Sequence, residues 1–303
     1  MAQADSQKSI FYALGANLSI AVAKSFAAFF TQSGAMLAEA IHSFADSGNQ
    51  LLLLFGLKSA RKPPNPDYPL GFGRSTFFWS FIVALVLFSV GGLFSMYEGW
   101  HKLQEPQPLA YPWVAIGVLT FGIVAESISM WGCVREVNKI RDGRSYFRWF
   151  RESRQSELLV IFGEDLAALL GLVFALLAIA ATMVTGNPIF DAIGTIGIGV
   201  LLIVVAIFIG IETKALLIGQ GVEKRVHKKM LAFLEAQPQV DHVYNLLTMQ
   251  LGNDVMVAVK ARMVTMATGD ELIRSINHTE SGFKQEFPQV LWLFFEPDNT
   301  DGD

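Results

Sequence analysis

Four stretches of this chain run twenty residues or more without a formal charge: 75–97, 106–125, 166–190 and 192–211. The hydrocarbon core of a bilayer is ~30 Å thick and takes about 20 apolar residues in an α-helix to cross, so each stretch is long enough to span. Two further apolar segments, 9–30 and 34–57, do carry charge: Lys24 in the first, and Glu39, His42 and Asp46 in the second. Pro63, Pro64 and Pro66 stop the second segment, because proline lacks the amide hydrogen that a helix interior needs. Thr185-Gly186-Asn187-Pro188 reads as a tight turn between the last two apolar stretches. Backbone polar groups in hydrocarbon have to be paired within their own segment. The expectation is six membrane helices near 9–30, 34–57, 76–98, 113–134, 158–182 and 189–211. A barrel would show alternating strands of about ten residues, and none is seen.

Charge placement predicts the orientation. Lysines and arginines crowd the 58–74 and 135–157 loops and flank the first and last spans at Lys8 and Lys214, thirteen in all, against Lys102 alone on the other side. Positive residues near helix ends mark the cytoplasmic side, so both termini are expected there. The first residues hold one lysine and no small-residue cleavage site, so no cleaved signal peptide is expected. Only 17% of residues are charged, against about 25% in soluble domains. A net charge of −4 gives no basic field for nucleic acid. The single cysteine, Cys133, excludes a disulfide framework and a CxxC metal clamp.

The chain changes character after the last span. Residues 222–237 have helical spacing and stop at Gln237-Pro238. Segments 243–251 and 255–264 alternate or run apolar around Gly252-Asn253-Asp254, a hairpin signal. Residues 269–286 return to helical spacing, and 290–295 form a short apolar strand. The αββαβ order predicts a small α+β domain, ferredoxin-like in topology. The expected division is a six-helix membrane domain over 1–215 and a cytoplasmic C-terminal domain over 216–303.

Ionisable residues inside a span cost a few kcal/mol each and are functional candidates by default. Glu39, His42, Asp46 and Asn49 follow one another at offsets of three, four and three, which puts them on one face of the second helix. His42 and Asp46, one turn apart, can present an imidazole and a carboxylate to one ion. The fifth span opens with Glu164-Asp165, and its Ala and Gly residues allow another helix to approach closely. Imidazole with carboxylates at a helix interface suits a tetrahedral first-row divalent ion, Zn²⁺ above all. For an isolated membrane histidine the simpler reading is a polar group bonded to a neighbouring helix; Asp46 and Asp165 shift the balance toward a metal. Lys24 is read as snorkelling or paired with an acidic neighbour, Trp100, His101 and Lys102 as an interface belt, and Asp191 as a cap on the sixth helix.

The segments AMLAEAIHSFADSGNQLLLLFGL and YPLGFGR, then ELLVIFGEDLAALLG, GNPIFDAIGTIGIGV and the αββαβ tail, resemble successive parts of the cation diffusion facilitators over almost the whole chain. That resemblance implies a homodimeric six-helix antiporter that expels Zn²⁺ or a similar ion in exchange for protons; because two or three carboxylates tolerate harder ions, Cd²⁺, Co²⁺, Fe²⁺ and Mn²⁺ follow Zn²⁺ as expected cargo. It also implies a metallochaperone-like cytoplasmic domain that promotes dimerisation. The family's paired ligands on the second span correspond to His42 and Asp46. Of its His-x-x-x-Asp on the fifth, Asp165 corresponds and Ile161 takes the histidine position. Glu164 is a secondary candidate, rotated ~100° from Asp165 so that the helix would have to twist to use it. Glu126, in the fourth span, is another; both are equally read as helix-bonding or proton-relay groups. Tyr68 and Phe72 stand where loop histidines would, so a loop metal site is not expected. The tail is expected to pack against its copy without a metal clamp. The lipid bilayer expected is a bacterial inner membrane. Alternative readings on the same residues are a membrane-embedded metal-dependent hydrolase, with the metal activating water, and a metal sensor.

Overall fold

The computed structural model describes the backbone of residues 2–300 and the side chains of 17–300; Lys8, counted above for orientation, lies outside the described side chains. Six long helices form the membrane part. They are α1 (Ala2–Thr31), α2 (Gly34–Ala60), the continuous helix Ser75–Gln104, α5 (Pro112–Ile140), α7 (Ser156–Thr185) and α8 (Ile189–Ile218). The third consists of α3 (Ser75–Val86), a π-helical segment Leu87–Leu93 and α4 (Phe94–Gln104). Four of the six, from Ser75–Gln104 onward, are apolar and long enough to cross a membrane by composition alone. The polar stripe of α2 lowers its hydropathy, yet α1 and α2 pack into the same bundle. Each helix outruns its expected span by a few residues, because helix ends continue into the polar interface where water satisfies them. Phe26, Phe29, Trp113, Phe121, Ile128 and Trp131 are largely exposed on the outer faces of α1 and α5, as a lipid-facing surface requires.

Helix neighbours define the layout. α1 packs on α2, α2 on α7, α7 on α5 and α5 on α1, so these four close a ring. The α3/α4 helix and α8 form a second unit laid against α2 and α7. Glycine lets that second pair approach: a Cβ at Gly99 would stand 2.6 Å from Ile196 Cγ1 and 2.8 Å from the Ile196 backbone nitrogen. A Cβ at Gly199 would stand 2.8 Å from the Gly92 carbonyl oxygen. The turn after α7 closes on Gly186 at φ +69°, a left-handed C-terminal position that glycine fills without steric cost.

The α1–α2 corner corrects one expectation. Asp191 does not cap its own helix; its carboxylate accepts hydrogen bonds from Ser33 Oγ, from Gly34 N at 2.7 Å and from Ala35 N at 3.4 Å. It thus caps the N-terminus of α2, where free amides and the positive end of the helix dipole favour an anion. Lys102, read as part of an interface belt, is held at this corner: its ammonium bonds the Gln32 carbonyl oxygen and lies 3.7 Å from Asp191. Lys24 resolves to the paired half of its reading, as described below.

The tail forms α9 (Lys224–Glu235), β1 (Val240–Leu251), β2 (Asp254–Met263), α10 (Gly269–Glu286) and β3 (Val290–Pro297), the expected αββαβ order. The sheet runs β1-β2-β3. β1 and β2 are antiparallel around a Gly252-Asn253 turn with Gly252 at φ +71°, and β2 and β3 are parallel. A parallel β2–β3 pair joined through α10 is what a ferredoxin-like sheet becomes without its leading strand. Its core (Met230, Leu234, Val257, Phe283 and neighbours) is separate from that of the bundle.

The 135–157 loop contains a short helix, α6 (Tyr146–Glu152), and its arginines bind the tail. Arg144 Nη1 bonds Glu223 Oε2 at 2.8 Å and Glu152 Oε2 at 3.3 Å, and Arg154 Nε bonds the Gly221 carbonyl oxygen at 2.7 Å. Arg225 pairs with Asp142. On the other flank the β1–β2 turn sits so close to Gly73 that a Cβ there would collide with the Leu251 carbonyl. The tail is therefore tied to both basic loops.

Candidate metal site

Inside the four-helix ring lies a cavity of about 30 Å³ lined by residues of α1, α2, α5 and α7. That is room for a water molecule or one bare ion. Asp46, Glu126, Glu164 and Asp165 all line it, with Asn17, Ser43, Gln50, Ser129 and Ile161 completing most of the wall. His42 lies behind this wall. It is fully buried, with Nδ1 3.4 Å from Asp46 Oδ1.

The consecutive pair on α7 divides its contacts. Glu164 turns toward α2, where Oε1 accepts from Asn49 Nδ2 at 2.6 Å. Asp165 turns toward α5, where Oδ2 accepts from Ser129 Oγ at 3.1 Å. α7 packs between those two helices, so both carboxylates reach the cavity on an unbroken helix. Both ring nitrogens of His42, Asp46 Oδ1, Asn49 Oδ1 and Glu39 Oε1 are buried without a hydrogen-bond partner among the described residues. Buried polar atoms are ordinarily satisfied, and this row of exceptions follows the α2 stripe. No three His, Cys, Asp or Glu side chains among the described residues are gathered closely enough to hold a metal as they stand; engaging His42 with the carboxylates requires side-chain movement.

Sequence reasoning did not single out Ser43, Ser129 or Gln50. Ser129 was within reach, three residues after Glu126 and so on the same face. Ser43 and Gln50 flank the α2 stripe and carry no charge to draw attention. In the loop after α2, Tyr68 and Phe72 form an aromatic pair with centroids 4.5 Å apart, capped by Lys62. In the tail, His227 Nε2 contacts the Leu246 carbonyl oxygen and His242 packs on Tyr244.

Fold and cavity together define a polytopic membrane helix bundle with a carboxylate-lined interior and a small α+β tail. Residues 10–218 match the cation efflux transmembrane domain, and the chain belongs to the cation diffusion facilitator family. It is 31% identical over 270 residues to the human "Proton-coupled zinc antiporter SLC30A9, mitochondrial", covering 88% of this chain and 46% of that protein. It is 32% identical over 243 residues to "Metal tolerance protein C4" of Arabidopsis thaliana, covering 79% and 53%. Similarity to "Magnetosome protein MamB" of Magnetospira sp. (strain QH-2) is 26% over 251 residues, covering 81% and 79%. The chain spans about half the length of the first two.

Proposed function

We propose that this chain carries a divalent metal cation, Zn²⁺ foremost, across a membrane in exchange for protons. The ion is held between α2 and α7 by His42, Asp46 and Asp165, with Glu164 and Glu126 as supplementary ligands or proton carriers. The observation that carries this reading is the cavity: four carboxylates from three helices face one ion-sized space inside a lipid-facing bundle. Such a concentration of anions at membrane depth is costly unless protons or a cation neutralise it. Metal ligands must be deprotonated to bind, so ion and protons compete for the same groups. A site that opens alternately to the two sides turns this competition into exchange. A proton taken up by the His42 imidazole occupies the lone pair that would bind the ion, so protonation there releases it. Cd²⁺, Co²⁺, Fe²⁺ and Mn²⁺ suit the same donors with less preference.

In this reading residues 1–215 are the transport domain. Residues 216–303 are a cytoplasmic domain that pairs with its copy in a homodimer. The basic loops and both termini face the cytoplasm of a bacterial cell membrane; the human relative's name places that protein in mitochondria. A hydrolase or sensor built on these residues is disfavoured by the antiporter and metal-tolerance names of the relatives. The test is Zn²⁺ flux into proteoliposomes under an imposed pH gradient. Flux that follows the gradient and is lost in Asp46→Ala and Asp165→Ala is expected. Zn²⁺ binding without flux at any gradient overturns transport.

A further inference from the structure

The transport reading makes no use of one fully buried cation of the bundle. Lys24, on α1, is 0% exposed, as is Glu39 on α2. The Lys24 ammonium donates to Glu39 Oε2 at 3.1 Å and to Ser43 Oγ at 2.8 Å. The absence of a side chain at Gly171 of α7 makes room for Glu39: a Cβ there would collide with Glu39 Oε1. Glu39 Oε1 faces this space, buried and without a hydrogen-bond partner among the described residues. The two oxygens of the Glu39 carboxylate, one of them free, and the Ser43 hydroxyl are oxygen donors of the kind that take a metal cation. Ser43 also lines the cavity, so it borders both regions.

We propose that Lys24 is a tethered cation occupying what would otherwise be a second ion site at Glu39 and Ser43, so that each protomer takes one transported ion. A lysine ammonium is a compact point charge on a flexible stem. It therefore neutralises Glu39 permanently and leaves only the Asp46 level of the interior open to the cargo. Lys24 is in this sense a specificity residue for ion number; a purely structural ion pair would leave that number unchanged when removed. The inference rests on the transport-site reading.

The experiment is equilibrium dialysis of the purified full chain in detergent against Zn²⁺ alone. Wild type is expected to bind one ion per protomer that Asp46→Ala removes; no Asp46-dependent ion would sink the transport-site reading itself. Lys24→Met is expected to bind one ion more than wild type, and adding Glu39→Gln to that variant should remove the extra ion. Lys24→Gln, which keeps a donor but no charge, carries the same expectation if Lys24→Met does not fold. A folded Lys24 variant with unchanged stoichiometry overturns the proposal. So does a wild type that takes up a second ion sensitive to Glu39→Gln, a result that needs no Lys24 variant.

Discussion

Asp191 shows how far one side chain can act from its place in the sequence. Its carboxylate satisfies Ser33 and the first amides of α2 from the start of α8, and α2 presents His42 and Asp46. Loss of a cap costs about 1 kcal/mol, and buried donors left unsatisfied cost ~1–3 kcal/mol each. Asp191→Ala should therefore lower stability by about 2 kcal/mol, read as the midpoint of thermal unfolding in detergent. Asp191→Asn, which keeps an acceptor, should lose less. Ile161 offers the opposite experiment. It lines the cavity one turn before Asp165, so Ile161→His adds an imidazole where the site has an alkyl group. Zn²⁺ affinity, measured by competition with an indicator dye, should rise about tenfold or more. An unchanged affinity would remove this part of α7 from the ion's surroundings.

At the level of elements, the contact between the α3/α4 helix and α8 depends on positions without a Cβ. Replacing a helical glycine by alanine gains up to ~1 kcal/mol in propensity. At Gly99 the new methyl would meet the Ile196 nitrogen and the Ala192 carbonyl oxygen, at 2.8 and 2.9 Å. Backbone atoms cannot rotate aside, and overpacking of this kind costs about 1–3 kcal/mol, so the collision outweighs the propensity. Gly99→Ala should destabilise. Gly117→Ala, with nothing within 4 Å of the added carbon, should stabilise slightly. The pair is measured side by side as unfolding midpoints, and equal shifts would contradict the close crossing.

For the molecule as a whole, the arginine-rich loop is the joint between bundle and tail. Glu152 is held below its ordinary value of 4.5 by the hydrogen bond from Arg148 and, next, that from Arg144. A depressed carboxylate contributes stability above its unfolded value and loses it as pH falls through the folded one. The Glu152 contacts, which order the loop that carries Arg144, should therefore be intact at neutral pH and loosen only on acidification below about 4.5. Spin labels on the 58–62 loop and on α9 would report this. A narrow distance distribution at pH 7 should broaden in Arg144→Ala, and in wild type only in acid. Equal widths in both proteins at every pH would mean that Arg144 is not what holds the tail, leaving that to Arg154, the Arg225–Asp142 pair and the Gly73 contact.

The six helices, the αββαβ tail and the stripe on α2 were legible in the sequence, because uncharged runs, proline breaks and three-to-four spacing are local consequences of covalent geometry and hydration. Glu164 and Asp165 were legible as residues but not in direction: their separate turns toward Asn49 and Ser129 depend on α7 lying between α2 and α5. The partners of Lys24, 15 and 19 residues away, and the α2 amides that Asp191 caps across 156 and 157 residues, were not legible at all. A buried charge takes whichever partner the packed helices bring within ~3 Å. Which helices those are is decided by side-chain packing, and no local pattern of residues encodes it.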